Sequence, residues 1–488
     1  MKKTAVLLSF LIGFGCYGQK QGNNWYFGNL AGVEFVDGNP MAILDGQLGY
    51  VGIHNHNEGT SAISDSTGSL LFYSDGMSVW NKNHEIMDGG TGLLGNFSST
   101  QSSIVVPDPF EPNELFYLFT VGSALCCDGS MSDGLRYTKI DMCRNNSLGA
   151  VISTQKNILL VDTVAEKIAV TRHANGMDYW VLTHKFYSDE FWALLLTANG
   201  IVDTVISAIG SIHDGSVAGV QGQLKFSPNG QKIAIGASNG LNLIELFDFD
   251  DLTGVVSSFL PLEKIDEGRV YGVEFSPDGS KLYTVSSSIT PFGTTVAQYD
   301  LAPYELSAIN SSLNVIYHAP NIVTGRGLQI GPNGKIYMVS LAQGQSALSV
   351  ISNPNVYGQG CDYEDQSVDL GGQLGSYSLP GFIAGYDYSN GTASCSEVVS
   401  IPENQKFEKV LTVYPNPFSR QTTIESNKYM GSVSISVVNS TGVVVKELSN
   451  ISGQTVSFNR DQLPQGLYFI RVTSGDQVIA VEKMIISD

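Results

Sequence analysis

The chain has 488 residues, 42% of them hydrophobic and only 15% charged, with 53 Gly, 22 Tyr and 22 Phe. That composition excludes a disordered chain or a long coiled coil and fits a β-rich protein of short strands and tight turns. Acidic residues outnumber basic ones, 46 to 26, for a net charge of −20, which excludes a nucleic-acid binder because that needs a basic footprint.

In chain order, Lys2 and Lys3 precede an apolar run from Ala5 to Phe14, followed by Gly15, Cys16 and Gly18. A basic start, a short apolar stretch and a small residue before the cut predict a secretory signal peptide over residues 1–18. Cys16 also raises a lipoprotein alternative, but Gly13-Phe14-Gly15 before it lacks the usual aliphatic residue. No later stretch reaches about 18 apolar residues, so no membrane span is expected.

Residues 19–388 read as the body. Trp25–Gly28, Val33–Val36 and Met41–Leu44 are three predicted strands. Three later segments share one pattern: Leu224–Gly236, Val273–Val285 and Leu328–Val339, each a strand, a Pro-Asn-Gly or Pro-Asp-Gly turn and a second strand. Pro presets φ for the turn, Gly takes its left-handed position, and Asn or Asp bonds its own backbone. Looser copies begin near Ala62, Ile104, Ile168 and Phe382, so successive starts lie 42 to 64 residues apart. Several strands per repeat at this spacing predict a β-propeller, seven-bladed, with six blades as the alternative. The longest step predicts an insertion around Gly122–Asn146. Phe382–Ala384 is expected to supply the inner strand of the blade begun by residues 24–45, closing the ring and hiding a sheet edge.

Residues 389–408 are rich in Ser, Asn, Gly and Glu, include Pro402, and read as a linker. From Lys409 onward seven basic residues face six acidic ones, a charge of +1, whereas residues 20–408 carry −23. Such a charge break marks a module boundary. Within 409–488, a strand pair, Ser432–Val438 and Val443–Leu448, flanks a turn, and Tyr468, Ile470 and Val472 alternate with Phe469 and Arg471. Several short strands in about eighty residues predict a small immunoglobulin-like β-sandwich.

Candidate site residues follow from the repeats. Residues just ahead of each inner strand gather at one mouth of a propeller channel. Here they are Glu58, Gln101, Lys167, Gln223, Arg269, Arg326 and Tyr377. His56, Glu58, Gln101, Arg269 and Arg326 form the candidate funnel for a polar or anionic ligand, with structural salt bridges as the competing reading. His54, His56 and Glu58 share strand parity and are the candidate metal set, set against a plain polar loop. No cofactor is implied, and no nucleophile elbow or phosphate-binding loop occurs. In an oxidising compartment the candidate disulfides are one between Cys143 and the Cys126-Cys127 pair, with Cys127 the choice, and one between Cys361 and Cys395, the odd count leaving one thiol over.

The tail's LTVYPNP (411–417), LPQGLYFIRV (463–472) and terminal KMII (483–486) resemble the type A sorting domain of the type IX secretion system of Bacteroidetes. The resemblance covers roughly 409–488. It implies passage through the periplasm to the outer surface or medium, recognition by the secretion machinery and its sortase, and proteolytic removal of the domain. The body, with NNWYFGN (23–29), EGTSAISD (58–65), LFYSDG (71–76) and LPGF (379–382), resembles a group of Bacteroidetes surface propellers without assigned chemistry. The expected function is a non-catalytic binding or adhesion module for extracellular glycan or protein. The alternatives are a polysaccharide hydrolase or lyase working in the funnel, and a structural surface-layer component.

Overall fold

The computed structural model describes residues 20–49, 58–123, 134–213, 220–238, 241–264, 268–289, 292–320, 325–340, 346–385, 411–439, 444–474 and 477–487. The chain divides into two compact units, Met1–Ser396 and Glu397–Asp488.

The first unit is a β-propeller. Its opening sheet is three-stranded: Asn24–Phe27, Ala31–Val36 and Asn39–Ile43. Antiparallel meanders follow, with first strands Ser61–Ser64, Ser103–Pro107, Val164–Arg172, Leu224–Phe226, Arg269–Phe275 and Gly325–Ile330. These first strands lie against one another in succession and line the channel. They are almost wholly buried, as expected of strands covered on both faces. Residues 124–133 of the expected insertion lie outside the described residues, and the outer edge of the meander that starts at Ser103 is divided. Ala150–Val151 and Ile158–Val161 both pair with Leu135–Asp141.

The repeated hairpins form as the sequence requires. Ser227 Oγ donates to Asn229 Oδ1 at 2.7 Å, and Ser276 Oγ donates to Asp278 Oδ1 at 2.7 Å. Gly230 and Gly279 take the left-handed position, with φ of 74° and 69°. A residue with Cβ is strained there.

The ring closes differently from the expected strand exchange. The opening sheet packs directly on the last one, where Trp25 and Phe35 meet Tyr337 at ring-centroid distances of 5.6 and 5.5 Å. Phe382–Ala384 does not pair with Asn24–Phe27. Instead the segment 377–385 runs along the channel as a plug. Gly327 N donates to Tyr377 O, Gly381 N to Thr60 O and Ala384 N to Val170 O, each at 2.9 Å. Gly385 ends it against the Pro228 carbonyl, where a Cβ would lie 1.8 Å away. The physical reason is that first strands present apolar side chains such as Ile104 and Ile168 to the channel, together with the backbone groups Thr60 O, Val170 O and Gly327 N. A short apolar strand satisfies several of them at once, whereas pairing with one sheet would leave the channel empty. Ile383 is 3% exposed, in one cluster with Ile104 and Ile168. Ile383→Ala is expected to cost about 2–4 kcal/mol, measured as a lowered midpoint of urea unfolding.

The second unit is a five-stranded β-sandwich built from Leu411–Tyr414, Gln421–Asn439, Val444–Asn459, Gly466–Ser474 and Gln477–Ile486. The long second strand shifts register repeatedly. Its first half pairs with Leu411–Tyr414 and its second half with Tyr468–Thr473, so one strand serves both layers. Val413, Ile424, Ile435, Phe458, Ile470 and Met484 fill the space between.

Candidate functional site

Three first strands break their pairing register at the same level of the channel. The shifts lie between Val164 and Ile168, between Val270 and Gly272, and between Gly325 and Leu328. A bulge turns a side chain out of the usual alternation. Those turned here are Glu166, Lys167, Tyr271 and Arg326. The glycines beside them allow the crowding: a Cβ on Gly272 would stand 2.3 Å from Arg326 O, and one on Gly59 2.1 Å from Ser102 N.

The result is a buried polar lock at this mouth. Tyr271 donates its hydroxyl to Glu58 Oε2 at 2.8 Å, and Ser98 Oγ donates to Oε1 at 3.1 Å. Arg326 lies over the rings of Tyr271 and Tyr377, at 5.8 and 5.0 Å. Burial, and then the charge of Glu166, push Glu58 up to about 8, while Tyr271, Ser98 and Arg326 only partly oppose this. Burial also holds the Tyr271 hydroxyl well above its ordinary range. Glu166 accepts from Thr100 N at 3.2 Å, Thr100 Oγ1 at 3.3 Å and Ser123 Oγ at 2.9 Å. Lys167 Nζ donates to Val220 O at 2.9 Å and Gly222 O at 2.7 Å, and burial pulls it down to about 7. Within range of the Lys167 charge, the His184 and His213 rings stack 3.9 Å apart, and desolvation holds both imidazoles neutral.

The expected funnel residues do not share one role. Arg326 stands close enough to Glu58 for its charge to lower that carboxyl, against the larger effect of burial. Gln101 reaches across the channel, its amide donating to Leu224 O at 3.0 Å and accepting from Leu224 N at 2.9 Å. Gln223 spans similarly, donating to Leu328 O at 3.1 Å and accepting from Leu328 N at 2.9 Å. Both amides are struts between first strands. Arg269 is exposed, and Tyr271 takes the place facing Glu58. The sequence signal for that place was the residue-Gly pair, shared by Glu58-Gly59, Tyr271-Gly272 and Arg326-Gly327. The signal for Glu166 and Lys167 was two charges inside an apolar strand.

His54 and His56 lie outside the described residues, as do Cys127 and Cys395. Cys361 is a buried thiol beside the Tyr283 hydroxyl, and burial pushes it up. Among the described residues, no group of three His, Cys, Asp or Glu side chains is placed to hold a metal.

The opposite mouth differs. There the Pro228, Pro277 and Pro332 turns surround a cavity of about 190 Å³, with the Lys225–Glu274 ion pair at 2.9 Å as its charged element.

Fold and site together define a β-propeller whose channel carries a buried polar cluster at one mouth. Residues 412–487 match the secretion system C-terminal sorting domain family. The chain therefore carries the address of type IX secretion cargo, which directs it to the cell surface or the extracellular space. Among the described residues no helix is long and apolar enough to cross a membrane. No curated protein matches the chain. Among solved structures, a functionally unknown protein from Desulfotomaculum acetoxidans is 13% identical with a TM-score of 0.39, covering 73% of this chain and 98% of that one. The Pseudomonas aeruginosa periplasmic gluconolactonase PpgL is 15% identical with a TM-score of 0.35, covering 78% and 94%. Kluyveromyces lactis Hsv2 is 13% identical with a TM-score of 0.37, covering 68% and 90%.

Proposed function

We propose that the exported propeller is a non-catalytic binding module for extracellular glycan or protein. The observation that carries this reading is the filled channel. The plug 377–385 occupies its length, Gln101 and Gln223 tie strands across it, and Glu58 is 5% exposed. Among the described residues Glu58 and Glu166 are only 5% and 1% exposed, whereas a glycosidase needs its two carboxylates open to sugar and water. Binding is left to the outer surfaces and the far mouth, held rigidly by the strands.

The test is a glycan and protein pull-down with the full chain, run beside assays for sugar release from polysaccharides. Partner capture without sugar release is expected, and it should be equal for wild type and Glu58→Gln. Release of reducing sugar that Glu58→Gln and Glu166→Gln each abolish would overturn this reading in favour of a hydrolase.

A further inference from the structure

The far mouth combines apolar walls with one charged element. Its cavity of about 190 Å³ is somewhat larger than the roughly 150 Å³ that admits a benzene ring in a protein interior. One substituted six-membered ring fits. The half-buried Phe382 ring forms a wall, backed by Trp25 at 5.9 Å. Pro228, Pro277 and Pro332 supply the other apolar edges.

Lys225 Nζ donates to Glu274 Oε2 at 2.9 Å and to Gln329 Oε1 at 2.6 Å. An ammonium has three N–H groups, so these contacts use two of them. Glu274 also accepts from Phe275 N at 3.1 Å and Ile330 N at 3.2 Å. A carboxylate offers about four acceptor sites, so acceptor capacity remains. A donor and an acceptor thus stand side by side in a pair of no net charge. An anionic ligand would meet Glu274, and a cationic one would meet Lys225. A hydroxyl both donates and accepts, and two neighbouring hydroxyls satisfy both partners. An apolar ring face edged by hydroxyls is the chemistry of a pyranose.

We propose that this mouth binds one neutral pyranose unit of a glycan, its C–H face on Phe382 and adjacent hydroxyls shared between Lys225 and Glu274. The proposal rests on the binding-module reading and narrows its ligand to sugar.

The test uses the full-length protein with the methyl glycosides of glucose, galactose and mannose, and with benzoate as an anionic control. Saturation-transfer NMR and calorimetry report binding. At least one glycoside is expected to bind with a Kd in the millimolar range. Phe382→Leu keeps an apolar plug but removes the aromatic face. The double variant Lys225→Met, Glu274→Gln removes the ion pair without stranding a charge. Each should weaken binding tenfold or more, with folding confirmed by an unchanged circular dichroism spectrum. Silence from all three glycosides, undiminished binding by both variants, or equal binding of benzoate would overturn the proposal. If polymeric glycan or a protein is still captured while the methyl glycosides stay silent, only this site falls and the binding-module reading stands.

Discussion

Deletion of residues 409–488 is expected to abolish surface display and leave the protein in the periplasm. The expectation rests on the family match over 412–487, and the structure shows why the module's two ends act together. Asn416, in the YPNP segment, donates to Lys483 O at 2.7 Å and accepts from Ile485 N at 2.7 Å. Phe418 N donates to Ile485 O at 3.1 Å, and Ser487 N returns to Phe418 O at 2.9 Å. The first motif thus clamps the last strand, so neither motif holds its geometry without the other. Asn416→Ala removes two of these bonds and should cost about 1–3 kcal/mol. It should lower surface display without the complete loss caused by deletion. Fractionation and protease accessibility of intact cells measure both. Normal display of the truncated chain would refute the sorting role.

Glu58→Gln is expected to stabilise the propeller at neutral and alkaline pH and to flatten its pH dependence. In the fold, Glu58 is pushed up to about 8 from an ordinary 4.5. A carboxyl with a raised folded pKa contributes its full stability below the unfolded value, and that stability is lost as pH rises through the folded one. Wild-type stability should therefore fall between about pH 5 and pH 8. The amide keeps the shape, accepts from Tyr271 and donates to Ser98, but has no proton to lose. The variant's advantage should grow by about 2–3 kcal/mol between pH 5 and pH 7.5, measured by denaturant unfolding across that range. A constant difference between the two proteins would show that Glu58 does not titrate there.

Much of the fold was legible because its signals are local. The Pro-Asn-Gly and Pro-Asp-Gly turns fix hairpins over a few residues, and both hairpins with a leading Ser form as read. The opening strands at 24–43 and the alternation around Tyr468–Val472 are local too. The channel mouth was only half legible. Glu58 and Arg326 were found by position in the repeat, but Arg269 was chosen two residues away from Tyr271. Arg269 was chosen as the residue ahead of the strand, and the register shift between Val270 and Gly272 is what turns Tyr271 toward Glu58. The opposite cavity was not read from the sequence: its Pro228, Pro277 and Pro332 edges belong to the repeated turns, but its walls come from segments scattered between Gly22 and Gly385.

By itself the sequence determined a Gly-rich, acidic repeat body of all-β architecture and a near-neutral tail bearing an export address. Those properties depend on composition, turn chemistry and short motifs, which need no knowledge of the partners in space. Only the tertiary structure decided how the ring closes and what its acidity becomes. Phe382–Ala384 serves as a plug because apolar walls converge on the channel from many strands. Glu58 and Glu166, both counted in the total of −20, are buried, and Glu58 is held toward its neutral form. Burial raises the cost of ionising a carboxyl, and burial is a property of the assembled ring rather than of any segment in it.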